Sequence, residues 1–311
     1  MLTLNKNEIL EIVNSVSVND LINGIEESFI SYSNGAANIP PVGHLNLEQN
    51  NGGIHIKYGH INDNENYVIK IASGFYDNPK IGLPSSNGLM LAFKAKTGEL
   101  NAILNDEGYL TDLRTALAGA VCAKNFAPSI VKCIGILGTG IQARMQLEYL
   151  QHVTNCKDVI VWGRTKNKID AYINDMSKLG FSVKGTKNSN DISEHCNLIV
   201  TTTPSEKPIL NSVKPGTLIT AIGADTYGKQ ELAAEVVKNA DIIICDSIPQ
   251  CINHGEIHKS IKNKTIVKNN LKELGNSAGK IKHKKNDIIL CDLTGVAVQD
   301  IKITNLVLSN K

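Results

Sequence analysis

Cys133-Ile134-Gly135-Ile136-Leu137-Gly138-Thr139-Gly140-Ile141-Gln142-Ala143-Arg144 is the stretch that decides how this chain reads. A short apolar run ends in Gly-x-Gly-x-x-Ala, and a helical pattern follows at once. Strand, glycine turn and helix in that order form the dinucleotide-binding fingerprint. Gly138 permits the tight turn, Gly140 lets the backbone approach a pyrophosphate, and Ala143 lets the helix pack close to the strand. The helix N-terminus, entered through Thr139, Ile141 and Gln142, offers N–H groups and the positive end of its dipole to phosphates. A Gly-x-Gly-x-x-small match alone is a weak signal. Its place between an apolar strand and a helix points to a nucleotide site rather than an ordinary strand–helix turn.

Working outward, strand candidates at 132–137, 158–162, 197–202, 217–223, 241–245 and 287–291 have helical patterns between several of them, which predicts a doubly wound parallel sheet. Upstream the pattern changes. Residues 7–33 read as helices, with Ile9, Leu10, Val13, Leu21, Ile22, Ile25, Phe29 and Ile30 at helical spacing. Ile39-Pro40-Pro41-Val42-Gly43 breaks that pattern. Strands follow at 54–61, 67–75, 88–94 and 99–104, the first two separated by Asn62-Asp63-Asn64-Glu65-Asn66. Thr111 to Phe126 reads as a helix with Thr111 as N-cap and Pro128 beyond its end. The expected fold class is α/β: a Rossmann doubly wound parallel sheet over 113–295, plus an α+β domain over 1–112 to which 296–311 return.

Composition narrows the function. The 311 residues are 42% hydrophobic, enough for a large core and two domains. With 32 basic and 30 acidic residues the formal charge is +2, and no block of like charge suggests nucleic acid. Lys280, Lys282, Lys284 and Lys285, with His283, read as a solvated turn. The seven cysteines form no Cys-x-x-Cys pair, and Cys133, Cys245 and Cys291 lie in apolar runs. They read as buried thiols in a reducing compartment, with no metal site. No signal segment is seen, and no apolar run reaches the roughly 18 residues of a membrane span. A soluble cytoplasmic protein is the expectation.

The end of the second strand selects the cofactor. An acid there binds the adenosine ribose of NAD, whereas a cation or hydroxyl accommodates the 2′-phosphate of NADP. This chain reads Val159-Ile160-Val161-Trp162-Gly163-Arg164-Thr165-Lys166, without an acid. Arg164, Thr165 and Lys166 favour NADP(H) over NAD(H). If Arg164 is an ordinary loop residue, the choice stays open. Thr202 and Thr203, in Thr201-Thr202-Thr203-Pro204, end the strand candidate at 197–202. They read equally as cofactor contacts or as β-branched strand residues.

Leu110-Thr111-Asp112-Leu113-Arg114-Thr115-Ala116, the stretch from Gly135 to Arg144, Gly223-Ala224-Asp225-Thr226-Tyr227-Gly228-Lys229-Gln230-Glu231-Leu232 and Asp292-Leu293-Thr294-Gly295-Val296-Ala297-Val298-Gln299-Asp300 together carry a resemblance. In order and spacing, over nearly the whole chain, they resemble the ornithine cyclodeaminase/mu-crystallin family. The resemblance implies a homodimer whose first domain binds a small imine or amino-acid substrate and builds the dimer interface. Members include ornithine cyclodeaminase, cyclic ketimine reductases, some alanine dehydrogenases and opine-type synthases, so the likeness guides reaction class better than substrate. Carried over residue by residue, Arg114 would hold the substrate carboxylate, Lys70 would bind it or polarise the reacting group, and Asp225 would be the acid–base aspartate. Their plain alternatives are an exposed helix arginine, a solvent-facing strand lysine and a turn-capping aspartate. Lys70 interrupts an apolar strand on the face of Val68 and Ala72, where a lysine needs a partner or a task.

Two departures from the ornithine cyclodeaminase pattern matter. No arginine follows Pro40-Pro41-Val42-Gly43-His44, and the strand expected to hold a pocket glutamate reads Ile54-His55-Ile56-Lys57-Tyr58. His55 and Lys57 share one strand face. If that face lines the pocket, they replace a carboxylate and supply a cation; if it faces water, they are ordinary strand polars. A lysine there disfavours a cationic δ-ammonium and so ornithine itself. The leading expectation is NAD(P)H-dependent reduction of Δ1-pyrroline-2-carboxylate to L-proline, or of Δ1-piperideine-2-carboxylate to L-pipecolate. The alternatives are ornithine cyclodeamination with NAD recycled, an amino-acid dehydrogenase or opine-type synthase, and a non-catalytic crystallin-like NADP-binding protein.

Overall fold

Alternating apolar and polar residues in the first third build a seven-stranded sheet. The computed structural model describes residues 1–311. Its strands are β1 (Leu2–Asn5), β2 (Ala37–Asn38), β3 (Gly43–Leu47), β4 (Gly52–Ile61), β5 (Asn66–Phe75), β6 (Ser86–Lys94) and β7 (Leu100–Asn105). The order is β1-β7-β6-β5-β4-β2, with β3 also on β4. β1 runs parallel to β7, and every other pair is antiparallel. The helical stretch at 7–33 is two helices, α1 (Lys6–Ser15) and α2 (Val18–Ser33), capped by Asn5 and Ser17. The C-terminal helix Ala297–Ser309 packs against α2, β4 and β5. These elements belong to one compact unit, Met1–Thr115 with Val296–Lys311.

The sheet of this unit has two unlike faces. On the helix side Val68, Met90, Ala92, Ala102 and Leu104 are buried. On the other side the register sets Ile56 beside Ile71 and Leu89, and Tyr58 beside Ile69 and Leu91. Ile56 and Tyr58 there are 37% and 38% exposed. A row of large apolar side chains thus lies on a face that no helix of the unit covers.

The second unit, Ala116–Gly295, is the doubly wound α/β half. Its strands are β8 (Ile134–Leu137), β9 (Asp158–Trp162), β10 (Ser182–Thr186), β11 (Leu198–Thr201), β12 (Leu218–Ala221), β13 (Ile242–Cys245), β14 (Leu271–Glu273) and β15 (Ile289–Asp292). They run in the order β10-β9-β8-β11-β12-β15-β13-β14, every pair parallel. From β8 the chain winds outward to β9 and β10, then returns to β11 on the other side. The carboxyl ends of β8 and β11 therefore form the topological switch point, where such sheets bind ligands. β10 and β14 were not among the expected strands. Both are edge strands, short and poor in apolar residues, so no buried stretch marks them.

α3 (Tyr109–Phe126) starts earlier than expected. Thr111 is not its N-cap: the Asp106 carboxylate accepts the Leu110 N–H at 2.7 Å, while Thr111 lies within the helix and its carbonyl accepts from Thr115. No helix is long and apolar enough to cross a membrane.

Candidate functional site

The glycine turn is built for close approach. Gly138 has φ 127°, which side chains resist, and a Cβ there would lie 2.5 Å from Thr202 Oγ1. Its N–H is held by the Trp162 carbonyl at 3.0 Å. Gly140 is the N-cap of α4 (Ile141–Leu150), with open space where a Cβ would stand. Ile141 is 53% exposed at the helix entrance, whereas Ala143 is fully buried. A dinucleotide pyrophosphate fits this cradle: bare backbone at Gly140, a helix N-terminus with no side-chain cap, and no acid in the turn. One residue of the turn had no assigned part in the sequence reading. Arg144 Nη1 donates to the Thr139 carbonyl, and its Nε and Nη2 grip Asp175 at 2.9 and 2.7 Å. It staples the turn to α5 (Lys166–Ser177).

At the end of β9 the three candidate phosphate readers differ. Arg164 is exposed and Thr165 is the N-cap of α5, with its hydroxyl not spent on the helix. Lys166 bonds Asp170 at 2.6 Å, one turn along the same helix. At the end of β11, Thr202 Oγ1 donates to the Leu137 carbonyl at 3.1 Å, tying the two strand ends of the switch point. Thr203 donates both its N–H and its hydroxyl to Glu231, at 2.6 and 2.7 Å.

The first unit gathers the cationic residues. β4 and β5 set Lys57 directly opposite Lys70, on the helix-covered face. Lys57 is buried, Lys70 is only 2% exposed, and Arg114 is buried as well. His55, two residues before Lys57, is half-buried, its ring centroid 4.7 Å from that of His44. Neither Lys57 nor Lys70 is a solvent-facing lysine, and Arg114 is not an exposed helix residue.

The counter-charges had no signal of their own in the sequence. Asp300, on the C-terminal helix, accepts from Arg114 Nε at 3.0 Å, and its other oxygen lies 3.8 Å from Lys70 Nζ. Gln299 accepts from Arg114 Nη1 at 3.0 Å. These bonds engage Nε and Nη1 and fix the orientation of the guanidinium. Asp106 is also buried here, and burial pushes its carboxyl up to about 6.

Burial brings the Lys70 ammonium down to about 7, with Asp300 opposing and Arg114 and Lys57 adding to the fall. The sign follows. Between about 7 and its ordinary 10.5, the unfolded chain holds more protons at this residue than the folded one. Stability from Lys70 therefore rises with pH across that window. Urea unfolding of wild type and Lys70→Met should show the difference moving in favour of wild type from pH 7 to pH 9.5. An unchanged difference contradicts the burial argument.

Asp225 follows β12, at the carboxyl edge of the parallel sheet. Its side chain is 49% exposed and its Oδ1 accepts from Lys229 at 2.6 Å. The structure puts Asp225 in an open loop, against a cation, and not in a buried site that would raise its pKa.

The model of the ornithine cyclodeaminase/mu-crystallin family matches residues 5–311. The chain belongs to that family. An uncharacterized cyclodeaminase of Sinorhizobium fredii is 36% identical over 278 residues, 87% of this chain and 84% of that protein. The structure of an archaeal alanine dehydrogenase dimer with bound NAD is 30% identical, with a TM-score of 0.90, covering 100% of this chain and 95% of that one. The Thermococcus litoralis Δ1-pyrroline-2-carboxylate reductase, solved with NADH and L-proline, is 26% identical, with a TM-score of 0.92, covering 100% and 97%. Family membership thus spans dehydrogenase, reductase and cyclodeaminase names, and structural neighbours hold NAD or NADH. In this chain Lys57 stands opposite Lys70, and Arg164 follows β9.

Proposed function

We propose that this protein reduces a cyclic ketimine carboxylate, Δ1-pyrroline-2-carboxylate to L-proline, with the six-membered Δ1-piperideine-2-carboxylate as a second substrate. The observation that carries the reading is the buried pair Lys57 and Lys70 beside Arg114. Arg114, Lys57 and a Lys70 that titrates at about 7, against the carboxylates of Asp300 and Asp106, suit a substrate carboxylate, whose charge favours the protonated Lys70. They oppose a δ-ammonium: two like charges about 4 Å apart repel by about 4 kcal/mol at an effective dielectric near 20. This weighs against cyclodeamination of ornithine, despite the name of the Sinorhizobium relative.

The Arg114 guanidinium takes the carboxylate as a bidentate pair, and Lys70 or Lys57 adds a second cation. A bound reduced nicotinamide supplies the hydride that C2 receives. Asp225, exposed and held by Lys229, acts as a carboxylate. It stabilises the protonated ring nitrogen, which makes C2 the better acceptor; the C=N double bond then becomes a C–N single bond with the nitrogen's proton already in place. Three parallel assays test the reading: NADPH absorbance with the five- and six-membered ketimines, NADPH with pyruvate and ammonia, and proline formation from ornithine with NAD. Oxidation in the first supports it. Activity confined to the second gives an alanine dehydrogenase, and activity confined to the third gives a cyclodeaminase.

NADP(H) is the proposed cofactor, read by Arg164 and Thr165, since Lys166 is held by Asp170. A charge-assisted bond of roughly 1.5–3 kcal/mol makes Arg164→Ala raise KM for NADPH by about 10- to 100-fold, with KM for NADH nearly unchanged. Equal effects on both cofactors contradict this.

The open sheet face of Ile56, Tyr58, Ile69, Ile71, Leu89 and Leu91 is the proposed homodimer surface, as its apolar character favours burial. Tyr58→Asp should halve the mass seen by light scattering; a monomeric wild type contradicts the assignment.

A further inference from the structure

Glu231 is fully buried at the carboxyl edge of the parallel sheet and has no part in the chemistry above. Its Oε1 accepts from the Thr203 N–H at 2.6 Å and the Thr203 hydroxyl at 2.7 Å. Its Oε2 accepts from the Thr201 hydroxyl at 2.6 Å and the Gly223 N–H at 2.9 Å. Each oxygen therefore takes one backbone amide and one hydroxyl. A hydroxyl can turn to accept, but an amide N–H cannot. The amide of glutamine places hydrogen toward one of the two backbone amides whichever way it is turned, whereas a carboxyl group accepts from both, its own proton, when present, turned to a threonine hydroxyl.

The two amides lie on different segments. Thr203 ends the β11 edge that faces the glycine turn, and Gly223 opens the loop that carries Asp225. Gly223 has to be glycine for this contact, because a Cβ would overlap the Thr203 carbonyl oxygen and the Glu231 carboxylate. Glu231 is itself held from behind. Glu256 accepts from the Glu231 N–H with both oxygens at 3.0 Å and from the Leu232 N–H at 2.5 Å. Asp292, at the end of β15, accepts from the N–H groups of Glu256 and Ile257, each at 3.1 Å. Each acid fixes the backbone of the next, in a line from β15 to the ends of β11 and β12. Burial pushes Glu231 up to about 7, against the pull of the bonds from Thr201, Thr203 and Gly223.

We infer that Glu231 is a positioning residue: it locks the Asp225 loop to the Thr203 strand end and so sets where Asp225 stands relative to the cofactor cradle. The inference rests on the proposed role of Asp225.

The test compares four proteins: wild type, Glu231→Gln, Asp225→Asn and the double variant. Glu231→Gln should lower kcat about tenfold or more, with KM for the ketimine moved by less than about threefold, as expected when a reacting group is misplaced. In the Asp225→Asn background the same change should have no further effect, because Glu231 acts through Asp225. A loss of fold integrity alone would lower both backgrounds equally, and equal losses overturn the inference. Normal kcat in Glu231→Gln, beside a slow Asp225→Asn, overturns it alone. Full turnover in Asp225→Asn overturns the role of Asp225 and the inference with it. If Glu231→Gln does not fold, Thr201→Val removes one of the four donors with little change of shape. It should lower kcat about fivefold in the wild-type background and leave Asp225→Asn unchanged. Equal losses in the two backgrounds, or unchanged kcat in wild type, overturn the inference.

Discussion

Asparagine at position 225 should lower kcat for ketimine reduction by about 10²- to 10³-fold, the loss expected when one preorganised group facing developing charge is removed. The side chain keeps its size and can still bond Lys229, which contacts Asp225 at 2.6 Å, so the loop is conserved. What disappears is the negative charge beside the protonated ring nitrogen. Cofactor affinity should move less than about threefold, because the dinucleotide cradle is built from Gly138, Gly140 and the start of α4, away from this loop in sequence. Steady-state kinetics and dinucleotide titration separate the two. Turnover within a factor of about two of wild type takes Asp225 out of the mechanism.

Arg114→Ala should carry the largest combined effect. Removing a buried partner leaves Asp300 with only Lys70, at 3.8 Å. Breaking a buried pair in this way costs about 3–5 kcal/mol of stability. The bidentate carboxylate clamp goes as well, and KM for the ketimine should rise about 100-fold or more. Arg114→Lys separates the two: it restores a charge beside Asp300 but not the planar fork, so stability recovers more than KM does. Urea denaturation and initial rates on both variants decide it. A ketimine KM unchanged in Arg114→Lys means that the substrate carboxylate is held elsewhere.

Much of the fold was legible because glycine and apolar periodicity are local signals. The turn at 138–143 announces itself by the φ that Gly138 must adopt, and β4 to β7 by runs of β-branched and apolar residues. The edge strands were not legible: β1, β10 and β14 have too few apolar residues for burial to mark them. The site divides in the same way. A lysine within an apolar strand is conspicuous, so Lys70 stood out. Its counter-ion did not, because Asp300 lies on the last helix and nothing local pairs it with Lys70 or Arg114. Asp106 hid for another reason: a short acid before a helix reads as an ordinary cap, and it is one, for Leu110. Thr202 and Thr203 were evenly balanced between strand and ligand roles, and their hydroxyls prove to bond the Leu137 carbonyl and the Glu231 carboxylate. The sharpest mismatch is Asp225. An acid–base group that donates a proton works best when buried, whereas Asp225 is exposed and held by Lys229, which favours the proposed stabilisation of a protonated nitrogen over proton donation.

Hydride delivery to the imine carbon of a carboxylate-bearing ring is the central step of the proposed reaction. The most direct measurement incubates the protein with Δ1-pyrroline-2-carboxylate and reduced nicotinamide adenine dinucleotide phosphate carrying deuterium at both C4 positions, and reads the product by mass spectrometry and NMR. The predicted result is L-proline carrying one deuterium at C2, formed one for one with oxidised cofactor. No labelled proline from the ketimine, together with proline released from ornithine and unreduced NAD, would contradict it.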